Sequence, residues 1–345
     1  MSASGNLDWD SLGFAFVETD EFFRSNAKTG REPLWDAGEY LPLGPVTLAP
    51  AAAFFSYGLG IFEGLKAQRS ADGRVLLFRY HDNARRFGTS AERLLLPRFP
   101  EERFVAAIEG LVRRNLRFVP PHGKGSFYIR PLQHAIDPLI AVNTGERFWV
   151  LMFGCPVGSY FAGKSEGASR GLRLRVLEQG RVAAGGTGSA KAIGNYAGGI
   201  ALARPWQRRG FDDVLYLDAR HVTYLTETSA SNVFVKLKNG PLVTPPLDDQ
   251  ILAGISRDSV LRLARDVLGV PTEERSITLE EALDAEEIFC TGTAWTVRNV
   301  QEVDHRGTIH SFPDRDLQQT LRAELLGVQT GEIEDRFGWI TEVRE

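Results

Sequence analysis

Residues 185–200, GGTGSAKAIGNYAGGI, carry one charge, the amine of Lys191. From Val182 to Ala203 the only other ionisable group is the phenol of Tyr196. A lysine so placed reads in two ways. Its stem can lie on apolar surface with the ammonium in water. Alternatively the amine is stripped of solvent, loses basicity, and suits a nucleophile or Schiff-base partner. Six glycines in these sixteen residues favour the second reading, because backbone without a Cβ lets another group come close. Two turns carry further chemistry. ILAGISRDSV (251–260) sets Gly254, Ile255 and Ser256 where a loop enters a helix. Free N–H groups, the helix dipole and a hydroxyl there suit an anion, or serve as a plain cap. FCTGTAWTV (289–297) follows a short strand with a Thr-Gly-Thr-Ala turn that offers N–H groups and hydroxyls. With the carboxylate of Glu227 in LTETSASNVFV (225–235), these features suit a phosphorylated cofactor held at several points.

Other patterns lead nowhere. GASRG (167–171) fits G-x-S-x-G but lies in a polar loop, not between a strand and a helix. The glycines at 185–188 do not complete G-x-G-x-x-G, since Lys191 takes the last glycine position. Six histidines are scattered without metal-ligand spacing, so no metal site is expected.

The elements that must hold these residues are legible from periodicity. Strands are expected at 75–80, 125–132, 147–155, 172–178, 214–218, 232–237 and 287–290. Helical spacing recurs at 82–95 (Ala84, Phe87, Ala91, Leu94), at 101–118 (Phe104, Ile108, Leu111, Leu116) and at 257–268, with Ser256 as a candidate cap. A terminal helix is expected near 315–326. The Gly- and Ser-rich stretch 156–171 reads as an interdomain loop. Strands and helices mix without regular βαβ alternation, which points to an α+β chain in two domains. The expected division is 1–157, a loop at 158–170, and 171–345.

At 345 residues, with 43% hydrophobic residues and a net charge of −4, the composition is that of a globular protein without a nucleic-acid surface. No apolar run reaches the length of a membrane span. The two cysteines, Cys155 and Cys290, sit in apolar strand-like runs, and the N-terminus lacks signal-peptide character, so a cytoplasmic protein is expected.

The chain resembles the class IV pyridoxal-phosphate aminotransferases, specifically the branched-chain amino acid aminotransferase family. The resemblance rests on SYGLGIFEGLKA (56–67), NARRF (83–87), SFYIRPL (126–132), CPVGSYF (155–161), GGTGSAKAIGNYAGG (185–199), LTETSASNVFV, TPPLDDQILAGISR (244–257) and TGTA (291–294), in the family's order. It implies a fold-type-IV enzyme with a smaller N-terminal α/β domain, a larger C-terminal domain with a β-barrel-like core, and the cofactor between them. It also implies pyridoxal 5'-phosphate on Lys191, Glu227 at the pyridine nitrogen, and Tyr196 at the phenolic oxygen. The phosphate would meet Arg86, Ile255, Ser256 and Thr293, with Leu252 on the ring face. Tyr57, Phe62, Tyr128 and Arg130 would form the substrate pocket, with Thr293 and Ala294 at the α-carboxylate. The activity so implied exchanges amino groups between leucine, isoleucine or valine and 2-oxoglutarate in a homodimer or larger assembly, with segment 156–171 over the substrate. D-amino acid transaminase and aminodeoxychorismate lyase are alternatives within the fold. The chain departs from the family at Ile193, where glycine is frequent, and at 227–232, which reads E-T-S-A-S-N instead of E-x-G-x-x-N. It also lacks the C-x-x-C of some members, reading Ala294-Trp295-Thr296-Val297.

Overall fold

The computed structural model describes residues 7–158, 170–238, 240–313 and 316–344. Residues 159–169, most of the expected interdomain loop and of GASRG, lie outside these residues, while Pro156 and Val157 belong to a strand, not to the loop. The chain forms two compact units, each with its own sheet.

The first unit is an antiparallel sheet built from β1 (Glu21–Lys28), β2 (Glu39–Pro42), β3 (Gly60–Phe62), β4 (Leu65–Arg69), β5 (Val75–Phe78), β6 (Ser126–Ala135) and β7 (Arg147–Val157). The order β5-β4-β6-β7-β1-β2 is extended at β5 by the C-terminal strand Ile340–Glu342, and β3 pairs with β6. Helix α1 (Ala53–Tyr57) precedes β3, and α2 (Tyr80–Arg93) and α3 (Glu101–Arg114) follow β5. The helices bury most of the residues their spacing singled out, Ala84, Phe87 and Ala91 on α2 and Phe104, Ile108 and Leu111 on α3, whereas Leu94 and Leu116 fall just beyond the helix ends and are half-buried. These join Phe127, Ile129, Val150 and Met152 in one core. A fully buried side chain of this size is worth about 1.5–3 kcal/mol, so this face fixes the register of β6 and β7. With Ile129 turned into the core, its neighbours Tyr128 and Arg130 must face the other way.

The second unit contains β8 (Leu172–Leu177), β9 (Asp213–Leu217), β10 (Leu225–Thr228), β11 (Asn232–Lys236), β12 (Leu242–Thr244), β13 (Thr272–Glu274), β14 (Glu287–Gly292), β15 (Thr296–His305) and β16 (Thr308–Ser311). Strands β10-β9-β8-β15-β14-β11 close into a six-strand barrel through the β10–β11 pairing. Closure leaves those strands without open edges; burial is near-continuous along β9, β10 and β11, with Ala203 packed against Val214 and Tyr216 of β9. Helix α4 (Gly194–Gln207) and helix α5 (Ile255–Arg262) belong to this unit apart from Gly194.

Three expectations are revised. Ala190–Gly194, with Lys191, and the chain from Val328 cluster with the first unit. The cause is pairing: Phe62 donates to the Lys191 carbonyl at 3.1 Å, Ile193 donates to Gly60 at 3.0 Å, and Ile340–Glu342 extends β5. Ser256 does not cap α5; Gly254 is the N-cap, without a side-chain bond, and Ser256 is already helical. The helix expected over 257–268 stops at Arg262 and loosens into a π turn over Leu263–Val267, where Leu268 N–H bonds Leu263.

Candidate active site

In the first unit, Lys191 is held by its backbone. Its N–H donates to Ser90 Oγ at 3.0 Å, and Ala192 bridges Ile61. The amine lies 4.6 Å from the centre of the Phe62 ring. The neighbouring residue Glu63 is fully buried. Arg86 grips it at both oxygens, Nε to Oε1 at 2.7 Å and Nη2 to Oε2 at 2.8 Å, while Asn83 adds a bond at 2.7 Å. Burial pushes the Glu63 carboxyl up, but Arg86, Lys191 and Asn83 outweigh it and hold the group below the usual range.

On the sheet face opposite the core, Arg130 lies 4.8 Å from the Phe62 ring centre and 5.3 Å from that of Tyr128, and donates to the Tyr128 hydroxyl at 3.1 Å. Gly64 makes this possible, since a Cβ there would collide with that hydroxyl. Arg130 Nε is buried without a hydrogen-bond partner, and among the described residues no carboxylate pairs with its guanidinium. Phe62, Tyr128 and Arg130 thus form one group, joined by Phe14, whose ring meets Tyr128 edge-on at 5.5 Å. Tyr57 is not part of these contacts; its hydroxyl donates to the Ile140 carbonyl.

In the second unit, Glu227 is buried on β10 and paired with Arg181 at 2.5 Å. Asn232, opposite Glu227 in the β10–β11 register, donates to Glu227 Oε2 at 3.3 Å and to the Leu252 carbonyl at 2.9 Å. Gly254 lies so close that a Cβ would collide with Asn232 Oδ1. Asn232 therefore gathers Glu227, Leu252 and the entrance of α5, where Ile255 and Ser256 begin the helix. Its partner on β14 is Thr291, so the turn bearing Thr293 and Ala294 starts two residues beyond. Tyr196 is half-buried on α4, next to Asn195, which exchanges hydrogen bonds with Thr187 at 2.6 and 2.8 Å.

Residues 60–303 match the family described as Amino-transferase class IV. The chain is 39% identical to branched-chain amino acid aminotransferase 1, mitochondrial, of Humulus lupulus, covering 98% of this chain and 85% of that one. It is 41% identical to branched-chain-amino-acid aminotransferase 1, mitochondrial, of Arabidopsis thaliana, covering 98% and 87%. The chain belongs to the class IV amino-transferases, in their branched-chain group. Among solved structures, the branched-chain amino acid aminotransferase from Thermobaculum terrenum in its PLP form matches with a TM-score of 0.78 at 26% identity, over 95% of this chain and all of that one.

Sequence reasoning on this aminotransferase missed four contributors: Glu63, Arg181, Asn232 and Phe14. Arg181 had one available signal, its position at the edge of the uncharged run from Val182. Glu63 had none, because a carboxylate between Phe62 and Gly64 reads as exposed until a partner 23 residues away buries it.

Proposed function

We propose that this aminotransferase uses pyridoxal 5'-phosphate to exchange amino groups between leucine, isoleucine or valine and 2-oxoglutarate. The residues fit the cofactor chemically. Lys191 offers the amine, and Glu227, buried and held by Arg181 and Asn232, offers a fixed carboxylate for a protonated ring nitrogen. Arg86, the N–H groups of Ile255 and Ser256, and Thr293 offer donors for a phosphate. Tyr196 offers a hydroxyl for the ring oxygen, and Leu252 an apolar contact. When bound, the cofactor supplies an electron sink that makes the substrate Cα–H acidic. Lys191 would be the group that accepts and holds the proton from the substrate Cα, and Glu227 would hold the proton at the ring nitrogen. Thr293 and Ala294 receive the α-carboxylate.

The observation that carries the substrate reading is Arg130, a guanidinium stacked on Phe62 and Tyr128 with no carboxylate partner among the described residues. The aromatic faces take an aliphatic side chain, gaining about 0.8 kcal/mol per methylene. The guanidinium takes the distal carboxylate of glutamate or 2-oxoglutarate. A homodimer belongs to this reading, with Tyr57 near the subunit boundary. Cytoplasmic placement accords with two buried, unpaired cysteines.

A panel of amino donors with 2-oxoglutarate tests the activity. Leucine, isoleucine and valine are expected to lead, and preference for D-alanine would support the D-amino acid alternative instead. Borohydride reduction of the cofactor-loaded protein is expected to label Lys191, and a label on any other lysine overturns the assignment.

A further inference from the structure

Glu227 is the penultimate residue of β10, beside the turn that leads into β11. The turn that follows, Thr228 to Ser231, is closed on itself. Thr228 N–H donates to the Ser231 carbonyl at 2.9 Å, Ser231 N–H returns a bond to Thr228 Oγ1 at 3.2 Å, and the two hydroxyls lie 2.7 Å apart. One side chain ties this turn to a different strand. Asp213, buried at the start of β9, accepts from Val214 N–H at 2.9 Å through one oxygen and from Ser229 N–H at 3.2 Å through the other. Ser229 is the third residue of the run E-T-S-A-S-N that links β10 to β11.

The carboxyl of Asp213 is an expensive group to bury. Burial pushes it up, against the pull of Ser229, the Val214 amide and Thr228. A group buried at such cost for packing alone is readily replaced by an apolar one. Its surroundings are polar as well, with the hydroxyls of Tyr216 and Ser229 both buried close by. The Tyr216 phenol lies within electrostatic reach of both Asp213 and Arg181, the arginine that pairs with Glu227. Asp213 thus anchors the Glu227 turn and shares its neighbourhood with the Glu227 ion pair.

We propose that Asp213 is a positioning residue for Glu227: it pins the 228–231 turn through the Ser229 amide and so fixes the carboxylate that meets the cofactor's ring nitrogen. This rests on the role of Glu227 proposed above. Asp213 touches neither cofactor nor substrate in this account.

The test separates ring-nitrogen recognition from general stability. The apoprotein is titrated by intrinsic fluorescence with pyridoxal 5'-phosphate and with its 1-deaza analogue, in which CH replaces the ring nitrogen. The wild type is expected to prefer the natural cofactor. Asp213→Asn, which points an amide at one of the two N–H groups, is expected to cut that preference about five-fold, the loss of roughly one well-placed hydrogen bond. Its affinity for the deaza analogue should change less than about two-fold. Equal weakening for both ligands, or an unchanged preference, overturns the positioning role and leaves the Glu227 reading intact. A wild type without any preference overturns both. Thr228→Val, which breaks the hydroxyl pair of the same turn, is measured alongside and decides alone if Asp213→Asn does not fold. A reduced preference supports the proposal, and a full one overturns it.

Discussion

Glu63 and Glu227 are both withdrawn from water, and each remains there because an arginine faces it. Removing one member of such a pair strands the other charge. Glu227→Gln is therefore expected to lower turnover by about two orders of magnitude, the range that positioned charge supplies. It should also cost about 3–5 kcal/mol of stability, because Arg181 loses its anion. Urea unfolding of Glu227→Gln and of Glu227→Gln with Arg181→Met checks the second point, and the double variant should recover part of the loss. Arg130 differs because its acid partner is expected to arrive with the substrate. Arg130→Met should weaken glutamate and 2-oxoglutarate by roughly 2–4 kcal/mol, while the leucine half-reaction changes far less. Cofactor absorbance in separated half-reactions measures both, and equal losses would assign Arg130 a structural role. His134 gives a pH signature. Burial against Phe54 pulls its ring down to about 4. The unfolded chain therefore binds the proton more readily than the folded one. The stability this neutral ring retains is complete above the ordinary histidine value of 6.5 and is lost as pH falls towards 4. Between pH 7 and 4.5 the wild type should lose about 2–3 kcal/mol more than His134→Gln, measured by urea unfolding.

The elements were legible in the sequence where one face meets a core. Ala84, Phe87 and Ala91 recur at helical spacing because α2 buries them, and the same holds for Phe104, Ile108 and Leu111 on α3. The Tyr128–Arg130 relation was equally readable, since alternate residues on a strand share a face. The end of α5 was not. Apolar residues continue at helical spacing through the π turn, so the change of hydrogen bonding at Leu263 leaves no mark in the pattern. The polar scaffold was illegible for another reason. Arg181 with Glu227, Arg86 with Glu63, and Asn232 with Leu252 are partners brought together by closure of a barrel or packing of a helix, and no local spacing encodes them. One prediction belongs to this scale. Gly254→Ala would drive a methyl group into Asn232 Oδ1. Backbone at the α5 entrance or the Asn232 amide must then move, at a cost of about 1–3 kcal/mol. The expected result is a lower thermal midpoint together with weaker cofactor binding. A change in the midpoint alone would show that Asn232 gathers these elements without serving the cofactor.

At the scale of the whole molecule, large apolar residues left exposed mark where it associates. In the first unit, Phe55 on α1 is 60% exposed, and Ile140 and Val142, on the loop between β6 and β7, are each 87% exposed. These are not isolated side chains on separate segments. Tyr57 donates to the Ile140 carbonyl, Leu139 N–H donates to Ala51 at 2.9 Å, and Ala52 bridges Pro138. The loop is thus stapled to α1, and an apolar face held open in this way marks an association site more often than chance exposure. A second copy of the chain is the occupant proposed here, in keeping with the homodimer proposed above, in which Tyr57 would lie near the boundary. Closed two-fold dimers use one surface on both subunits, so two charges introduced there appear twice and oppose themselves across the axis. Ile140→Asp with Val142→Asp should therefore weaken the dimer by about two orders of magnitude or more, the scale of losing central apolar contacts. Both residues lie far out in solvent within the single chain, so unfolding of the separated subunit should change by less than about 0.5 kcal/mol. Sedimentation equilibrium across a concentration series reads the first quantity, and denaturation at low concentration reads the second. A wild type that remains monomeric and fully active at micromolar concentration would remove the dimer from this account.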